Sequence, residues 1–283
     1  MKKKGTLGAL AASPHIVWSA LFIVVPLIFV AYYALTDEAG HFSLSNLGSV
    51  LINGTYMATL GRSLVYALVA TAVCLLVAYP LAYALSRMRV RLQSLFVMLV
   101  MLPMWTNFII RTYALSEVLE VLNNAIVYVL SLLPESMVPI ALDPKPDIVI
   151  YNETAVVIGM VYDFLPYMIL PIYSIMAKLD YRLVEAAQDL GCNAMGVLRK
   201  VILPLSIPGV LSGITMVFVP SISTFYISNQ LGGIFLIGDI IDYYYYNNNH
   251  HFAAALSFVL MLILLAGLIF MNRFGDNDKE GAR

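Results

Sequence analysis

The sequence is poor in charge: 12% of its 283 residues are Asp, Glu, Lys or Arg, against about a quarter in soluble domains. Set beside 61% hydrophobic residues and a mean hydropathy of +0.85, that scarcity excludes a soluble globular chain and points to the bilayer. Cysteine is nearly absent. Cys74 falls in an apolar run and Cys192 in a charged connection; the two lie on different levels, so neither a disulfide framework nor thiol chemistry is expected. No Gly-x-x-x-x-Gly-Lys-Ser/Thr loop, His-Glu-x-x-His pair or Gly-x-Ser-x-Gly elbow occurs. The chain therefore lacks the usual phosphate cradle and the familiar hydrolase constellations. Adjacent His250 and His251 would point apart on a helix, with no Cys or third His beside them, so no metal site is expected.

What the sequence has is long apolar runs. A crossing helix needs about 20 apolar residues, and six runs qualify, at about 16–36, 61–86, 92–115, 153–177, 205–229 and 252–272. The first follows Lys2, Lys3 and Lys4. Its length, and the lack of a small-residue cleavage site before Asp37 and Glu38, predict an uncleaved span. Alternate connections separate by charge. Lys2, Lys3, Lys4, Arg87, Arg89, Arg91, Lys178, Arg182, Arg199, Lys200, Arg273, Lys279 and Arg283 fall on one side, and Arg62, Arg111 and Lys145 on the other. The basic side is cytoplasmic by the positive-inside rule, so both termini are expected there. The opposite side collects Asp37, Glu38, Glu117, Glu120, Glu135, Asp143, Asp147, Glu153, Asp239 and Asp242. An acidic mouth suits a cationic solute, and a shortage of Lys and Arg outside is also what insertion produces.

No composition break or fixed-period repeat divides the chain, so residues 1–283 are expected to form a single transmembrane domain with its core at about 61–272. The longest outer connection, about 116–152, carries a helical stretch at Val118–Leu133 and then Pro134, Pro139, Pro144 and Pro146. Glu120, Asn123 and Asn124 within it predict an interfacial or outer-face helix rather than a further span. Pro26, Pro80, Pro103, Pro166, Pro171, Pro208 and Pro220 sit inside the apolar runs. Each removes a backbone hydrogen bond, which a bilayer tolerates only where neighbouring groups or a wet cavity satisfy the freed carbonyl.

One polar interlude interrupts the spans. Residues 178–204 carry Lys178, Asp180, Arg182, Glu185, Asp189, Arg199 and Lys200 among Leu183, Val184, Ala187, Leu190, Val197 and Leu198. This predicts a short helix along the basic surface, a turn at Gly191, and a second helix running through Leu203-Pro204 into the fifth span. Ala186 and Ala187 permit close approach by a partner, and Glu185 can accept hydrogen bonds; the plainer alternative is a connecting interfacial helix.

Glu185-Ala186-Ala187, three residues, Gly191, nine residues, Val201, one residue and Leu203-Pro204 resemble the signature loop of binding-protein-dependent ABC import permeases, with valine where isoleucine is usual. Leu102-Pro103-Met104-Trp105-Thr106-Asn107-Phe108, Arg111-Thr112-Tyr113, Gly159-Met160-Val161-Tyr162-Asp163-Phe164-Leu165-Pro166, Val217-Phe218-Val219-Pro220-Ser221, Gly232-Gly233 and Leu236-Ile237-Gly238-Asp239-Ile240-Ile241 are similar to segments of the first permease type of spermidine/putrescine importers. Tyr243–Tyr246, three asparagines and His250-His251 depart from that pattern. The resemblance implies an all-α membrane protein of six transmembrane helices, the type I ABC importer permease fold, that moves polyamines inward across the cell membrane. Its partners would be a second homologous permease, an ABC ATPase dimer seated on the coupling helix (Glu185, Ala186, Ala187, Gly191, Leu203, Pro204), and an extracytoplasmic polyamine-binding protein. The chain itself would hold no cofactor, ATP and Mg being bound by the ATPase, and would be non-catalytic.

A polyamine pathway calls for carboxylates and aromatic faces, because a desolvated ammonium gains from both. Asp163, about ten residues into an apolar run, either lines such a pathway or pairs internally, for example with Arg111 or a tyrosine. Trp105, Tyr162 and Tyr226 could supply rings or serve as interfacial anchors. Asp239 and Asp242 could meet substrate or binding protein, or be solvated loop acids. A permease for another solute, or a stand-alone secondary transporter, are the rival expectations; an anion importer should carry Lys or Arg within its spans or at its outer mouth, where this chain has Asp163 and an acidic outer face, and a secondary transporter often shows an inverted repeat, of which none is visible.

Overall fold

The computed structural model describes residues 6–132, 146–180 and 182–280. Lys2, Lys3, Lys4, Pro134, Glu135, Pro139, Asp143, Pro144, Lys145 and Arg283 lie outside the described residues. Among the described residues the chain is helical, with one isolated bridge between Thr36 and Phe42. In a bilayer that is the expected outcome, because a helix satisfies its backbone polar groups within itself. By contact the chain forms two compact units, one of residues up to Ala58 with Ile240–Leu265 and one of Thr59–Asp239 with residues from Ala266.

The first unit opens with α1 (Ser13–Ala34), whose most apolar window has a mean hydropathy of 2.3 and is 0% buried. So apolar a surface left uncovered belongs against lipid. Its turn widens at Ala20–Val24, just ahead of Pro26, whose ring would clash with the carbonyl four residues back. After α2 (Ser45–Ile52), Tyr56 stands in the first turn of the long helix α3 (Gly54–Ser86). The tyrosine-rich run 243–246 supplies this unit's polar knot: the Tyr56 and Tyr244 hydroxyls lie 2.7 Å apart, and Phe252 packs on Tyr244 with centroids 4.6 Å apart. The shared hydrogen bond, then burial, raise the Tyr244 phenol above its ordinary pKa. His251 Nδ1 lies 2.8 Å from the Thr36 carbonyl and 3.1 Å from that of Tyr33; facing two acceptors, it is the nitrogen that carries hydrogen.

The second unit is built on close helix contact. α4 (Val90–Trp105), α5 (Phe108–Ser131), α6 (Glu153–Met176), α7 (Arg182–Asp189), α8 (Ala194–Ile222) and α9 (Ile227–Gly232) follow α3 in order. Ala67, Ala70, Cys74, Ala78 and Ala82 form a fully buried stripe along α3, at the three-and-four spacing that lets helices approach. Gly209 and Gly213 do the same for α8: a Cβ at Gly209 would fall 2.9 Å from the Pro171 carbonyl, and one at Gly213 2.7 Å from Met168 Sδ. α10 (Ile237–Tyr246) and α11 (His250–Glu280) complete the chain.

Among the described residues, six helices are long and apolar enough to cross a membrane, α5 among them and the shorter α4 not. The register shows how these two divide one crossing. Arg111, near the start of α5, meets Asp163 in the middle of α6. Asn123, twelve residues on, accepts from the Ile148 and Val149 N–H groups, which precede the first turn of α6. The second half of α5 thus extends past the end of α6, while α4, about 24 Å long, spans the stretch below Asp163. The single span expected at about 92–115 is therefore two helices broken at Thr106-Asn107. The separate helix expected at 118–133 is instead continuous with α5 as far as Ser131. Proline and an N-cap asparagine within the apolar run cause the difference.

Candidate functional site

The break between α4 and α5 is specified locally. Pro103 and the tight turn Leu102–Trp105 end α4, and Asn107 caps α5, its Oδ1 accepting from the Ile109 and Ile110 N–H groups at 2.9 and 3.4 Å. The Pro103 carbonyl, which a continuous helix would have satisfied, accepts from Thr106 N at 3.2 Å, Thr106 Oγ1 at 2.7 Å and Arg111 Nη1 at 2.7 Å. Arg111 then reaches α6: its Nε donates to Asp163 Oδ1 at 2.5 Å and its Nη2 to the Asp163 carbonyl at 3.5 Å. Thr112 Oγ1 lies 3.1 Å from Asp163 Oδ2 and 3.0 Å from the Phe108 carbonyl, so its one proton serves them in turn.

Asp163 is 0% and Arg111 7% exposed. Of the two alternatives left by the sequence, the structure displays the internal pair. The guanidinium also lies over the Tyr162 ring, 5.8 Å from its centroid. Trp105 and Tyr162 remain accessible, at 75% and 42%, and share this region with the pair. Thr112 and Asn107 are the members that sequence reasoning passed over. An asparagine directly before an apolar helical run was the available signal for the cap.

A second locus is the connection from α6 to α8. Asp180 Oδ1 accepts from Arg182 N at 3.0 Å and starts α7. Val184 faces inward at 6% exposure, while Glu185, Ala186, Gln188 and Asp189 are exposed and Ala187 half-buried. The helix stops in a Schellman arrangement: Gly191 N donates to the Gln188 carbonyl at 2.8 Å and Cys192 N to that of Ala187 at 3.0 Å, with Gly191 at φ +83°. Asn193 caps the next helix through Gly196 N at 2.8 Å. α8 then widens at Leu198–Ile202, ahead of Pro204, and continues through exposed Leu203 and Pro204 into the apolar span. The short helix, glycine turn and second helix match the expectation for this segment.

The third locus corrects an expectation. Asp239 is no solvated loop acid: it is 7% exposed, and its carboxylate accepts from Tyr226 N at 3.0 Å, Leu236 N at 2.8 Å and the Ser228 hydroxyl. Tyr226, at φ +74°, is held in a conformation that non-glycine residues rarely adopt. A buried carboxylate there answers N–H groups that the turn leaves unpaired. Asp242 is half-buried and belongs to the other compact unit.

A break in the third crossing, a short exposed helix with a glycine stop, and a proline-started fifth crossing occur together in one helical framework. The family model described as "Binding-protein-dependent transport system inner membrane component" matches residues 74–276. The chain belongs to this family. The matched range takes in the α4–α5 break, the 182–204 segment and the Asp239 turn, and leaves α1 and α2 outside it. Being a member, the chain is a multi-pass membrane permease component of a binding-protein-dependent ABC importer.

Relatives sharpen the comparison. The spermidine/putrescine transport system permease protein PotB of Haemophilus influenzae is 35% identical over 262 residues, covering 90% of this chain and 88% of the relative. The protein of the same name from Escherichia coli K12 is 34% identical over 232 residues, covering 79% and 81%. A PotB homolog of Mycoplasma pneumoniae is 29% identical, covering 78% and 73%. Among solved structures, a bacterial ABC transporter involved in importing the acidic polysaccharide alginate aligns with a TM-score of 0.67 at 14% identity, over 96% of this chain and 95% of that one. The alginate transporter in complex with a pentasaccharide-bound periplasmic protein aligns with a TM-score of 0.64 at 13% identity, over 94% and 93%. At such identities the two structures speak for the fold alone, the type I importer permease fold.

Proposed function

We propose that this chain moves polyamines such as spermidine and putrescine inward, as one permease of an ATP-driven importer. The observation that carries the reading is identity of 34–35% with spermidine/putrescine permeases, sustained over most of both chains. Two features of the α4–α5 break agree with it: Trp105 and Tyr162 are accessible there, and Arg111, the cation at the break among the described residues, is engaged by Asp163. In this reading Trp105, Tyr162 and Tyr226 offer ring faces to the cargo's ammonium groups. Asp163 acts at one remove, fixing Arg111 and through it the break. Asp239 shapes the turn at Tyr226, and Asp242 is the acid left to meet cargo or binding protein.

The remaining assignments follow from the same reading. Glu185, Ala186, Ala187, Gly191, Leu203 and Pro204 form the coupling element on which an ATPase dimer seats. ATP and Mg belong to that dimer, and this chain is non-catalytic. A second, homologous permease completes the pathway, and an extracytoplasmic polyamine-binding protein delivers the cargo. Both termini and the coupling element face the cytoplasm, in keeping with the charge asymmetry, and the two compact units act as one permease domain.

Uptake of radiolabelled spermidine and putrescine tests this in cells lacking other polyamine importers, with this chain and its neighbouring subunits expressed and then with this chain omitted. Loss of uptake on omission supports the polyamine assignment. Unchanged uptake, while an ATPase still co-purifies with the chain, directs the search to another solute.

A further inference from the structure

The short helix α2 (Ser45–Ile52) takes no part in the transport reading and lies outside the range that the family model matches. Its position is fixed at both ends. The chain doubles back after α1: Asp37 Oδ1 accepts from Ala39 N at 3.0 Å and His41 N at 2.9 Å, and Ser43 N then donates to the Leu35 carbonyl at 2.9 Å. So α2 begins level with the end of the lipid-facing α1. At its other end Asn53 alone separates it from α3, its Oδ1 accepting from Thr55 N at 3.0 Å. A helix of this length spans about 12 Å, and this one joins the ends of two crossing helices. It therefore lies along the membrane boundary. Tyr32 and Tyr33 at the end of α1, and Tyr56 in the first turn of α3, stand at the same level, where tyrosine is enriched because its ring suits hydrocarbon and its hydroxyl suits water.

The side chains of α2 divide into sectors. At about 100° per residue, Leu47 and Val50 share one side, where Leu47 is half-buried and Val50 1% exposed. Ser45 and Ser49 share another, and both are exposed. Leu44, just ahead of the helix, falls with Leu51 and Ile52 in a third sector next to the buried one, and these are 54%, 55% and 86% exposed. The apolar arc is thus wider than the protein covers. A helix that met protein on one side and water on the rest would carry polar residues in that third sector.

The charge pattern narrows what covers it. Between Glu38 and Arg62 there is no Asp, Glu, Lys or Arg. Attraction to anionic headgroups calls for Lys or Arg beside the apolar face, so headgroup charge gives this helix no hold. Hydrocarbon does, because burying Leu44, Leu51 and Ile52 removes their apolar surface from water, and the adjoining face of α1 already lies against lipid.

We infer that α2 is an interfacial anchor, lying in the leaflet at the end of α1 with Leu44, Leu51 and Ile52 among the acyl chains and Ser45 and Ser49 toward water. It extends the lipid-facing surface of α1 to the start of α3, and its hold is indifferent to lipid charge.

Photocrosslinking tests this in the full importer complex with its binding protein, reconstituted in nanodiscs of defined lipid. p-Benzoylphenylalanine replaces Leu51, Ile52 or Ser49 in turn, and mass spectrometry identifies the adduct. The Leu51 and Ile52 positions give phospholipid adducts, in equal yield in phosphatidylcholine and phosphatidylglycerol. The Ser49 position gives about tenfold less, since one face of an interfacial helix meets acyl chains and the other water. With the probe at Leu51, the pair Leu44→Gln and Ile52→Gln lowers the lipid yield while size exclusion shows the complex assembled. Equal lipid yield from all three positions, or a yield unmoved by the glutamine pair, overturns the inference. Crosslinks from Leu51 and Ile52 to the binding protein or another subunit in place of lipid overturn it in favour of a protein-docking face, and adducts confined to phosphatidylglycerol overturn it in favour of a headgroup site.

Discussion

Arg111 donates through Nε to Asp163 at 2.5 Å and through Nη1 to the Pro103 carbonyl at 2.7 Å, so one side chain ties the broken crossing to the middle of α6. Removing one member of such a buried pair leaves an uncompensated charge, at a cost of about 3–5 kcal/mol. Asp163→Ala is therefore expected to lower the amount of assembled permease in the membrane, measured by fluorescence-detected size exclusion. Arg111→Met combined with Asp163→Leu should restore assembly, since paired apolar replacements are close to neutral. Uptake that recovers with assembly assigns the pair to architecture. Assembly without uptake means that the charges themselves serve transport.

At Gly191 the backbone alone sets the requirement. An added Cβ meets nothing within 4 Å, but φ is +83°, a region where most residues lose about 1–2 kcal/mol. Gly191→Val should uncouple ATP hydrolysis from uptake more than Gly191→Asn, because asparagine tolerates left-handed backbone. ATPase activity of the complex with and without loaded binding protein checks the order; equal effects would mean that the turn's conformation is not what matters.

Asp239 answers two N–H groups and a hydroxyl. Asp239→Ala leaves buried donors unsatisfied, at about 1–3 kcal/mol each, and frees Tyr226 from its positive φ. Asp239→Asn keeps one acceptor oxygen and should fall between wild type and alanine in thermal melting of the purified complex. A melting point unchanged by alanine would return Asp239 to the role of a surface acid.

Gly209 and Gly213 both bring α8 onto α6, yet their neighbours differ in compliance. A methyl at Gly209 meets the Pro171 carbonyl at 2.9 Å, whereas one at Gly213 meets the Met168 sulfur at 2.7 Å. A backbone carbonyl cannot move aside, and a thioether can. Gly209→Ala should destabilise by about 1–3 kcal/mol, and Gly213→Ala by less. Met168→Ala is expected to relieve the second and not the first, as followed by chemical denaturation in detergent micelles.

The membrane class and the six crossings were written in composition and in run length, because a bilayer admits few folds and demands about 20 apolar residues of each crossing. The Gly191 turn and the short α7 were legible for the same reason: local backbone chemistry fixes them. The asparagine cap at Asn107 was equally local and was hidden only by the apolar residues on either side.

Contacts across long sequence separations were another matter. Nothing in the order of residues distinguishes Asp239, whose carboxylate is enclosed by Tyr226, Ser228 and Leu236, from Asp242, three residues on and half-buried. Sequence also left Asp163 open between a cation pathway and an internal pair, since both require a carboxylate in an apolar helix. Only the approach of α5 to α6 decided it, by setting a guanidinium against that carboxylate in a space closed to water. Local propensity and hydropathy act on a residue through its neighbours in the chain, whereas burial and charge pairing act through neighbours in space, which exist only once the helices have packed.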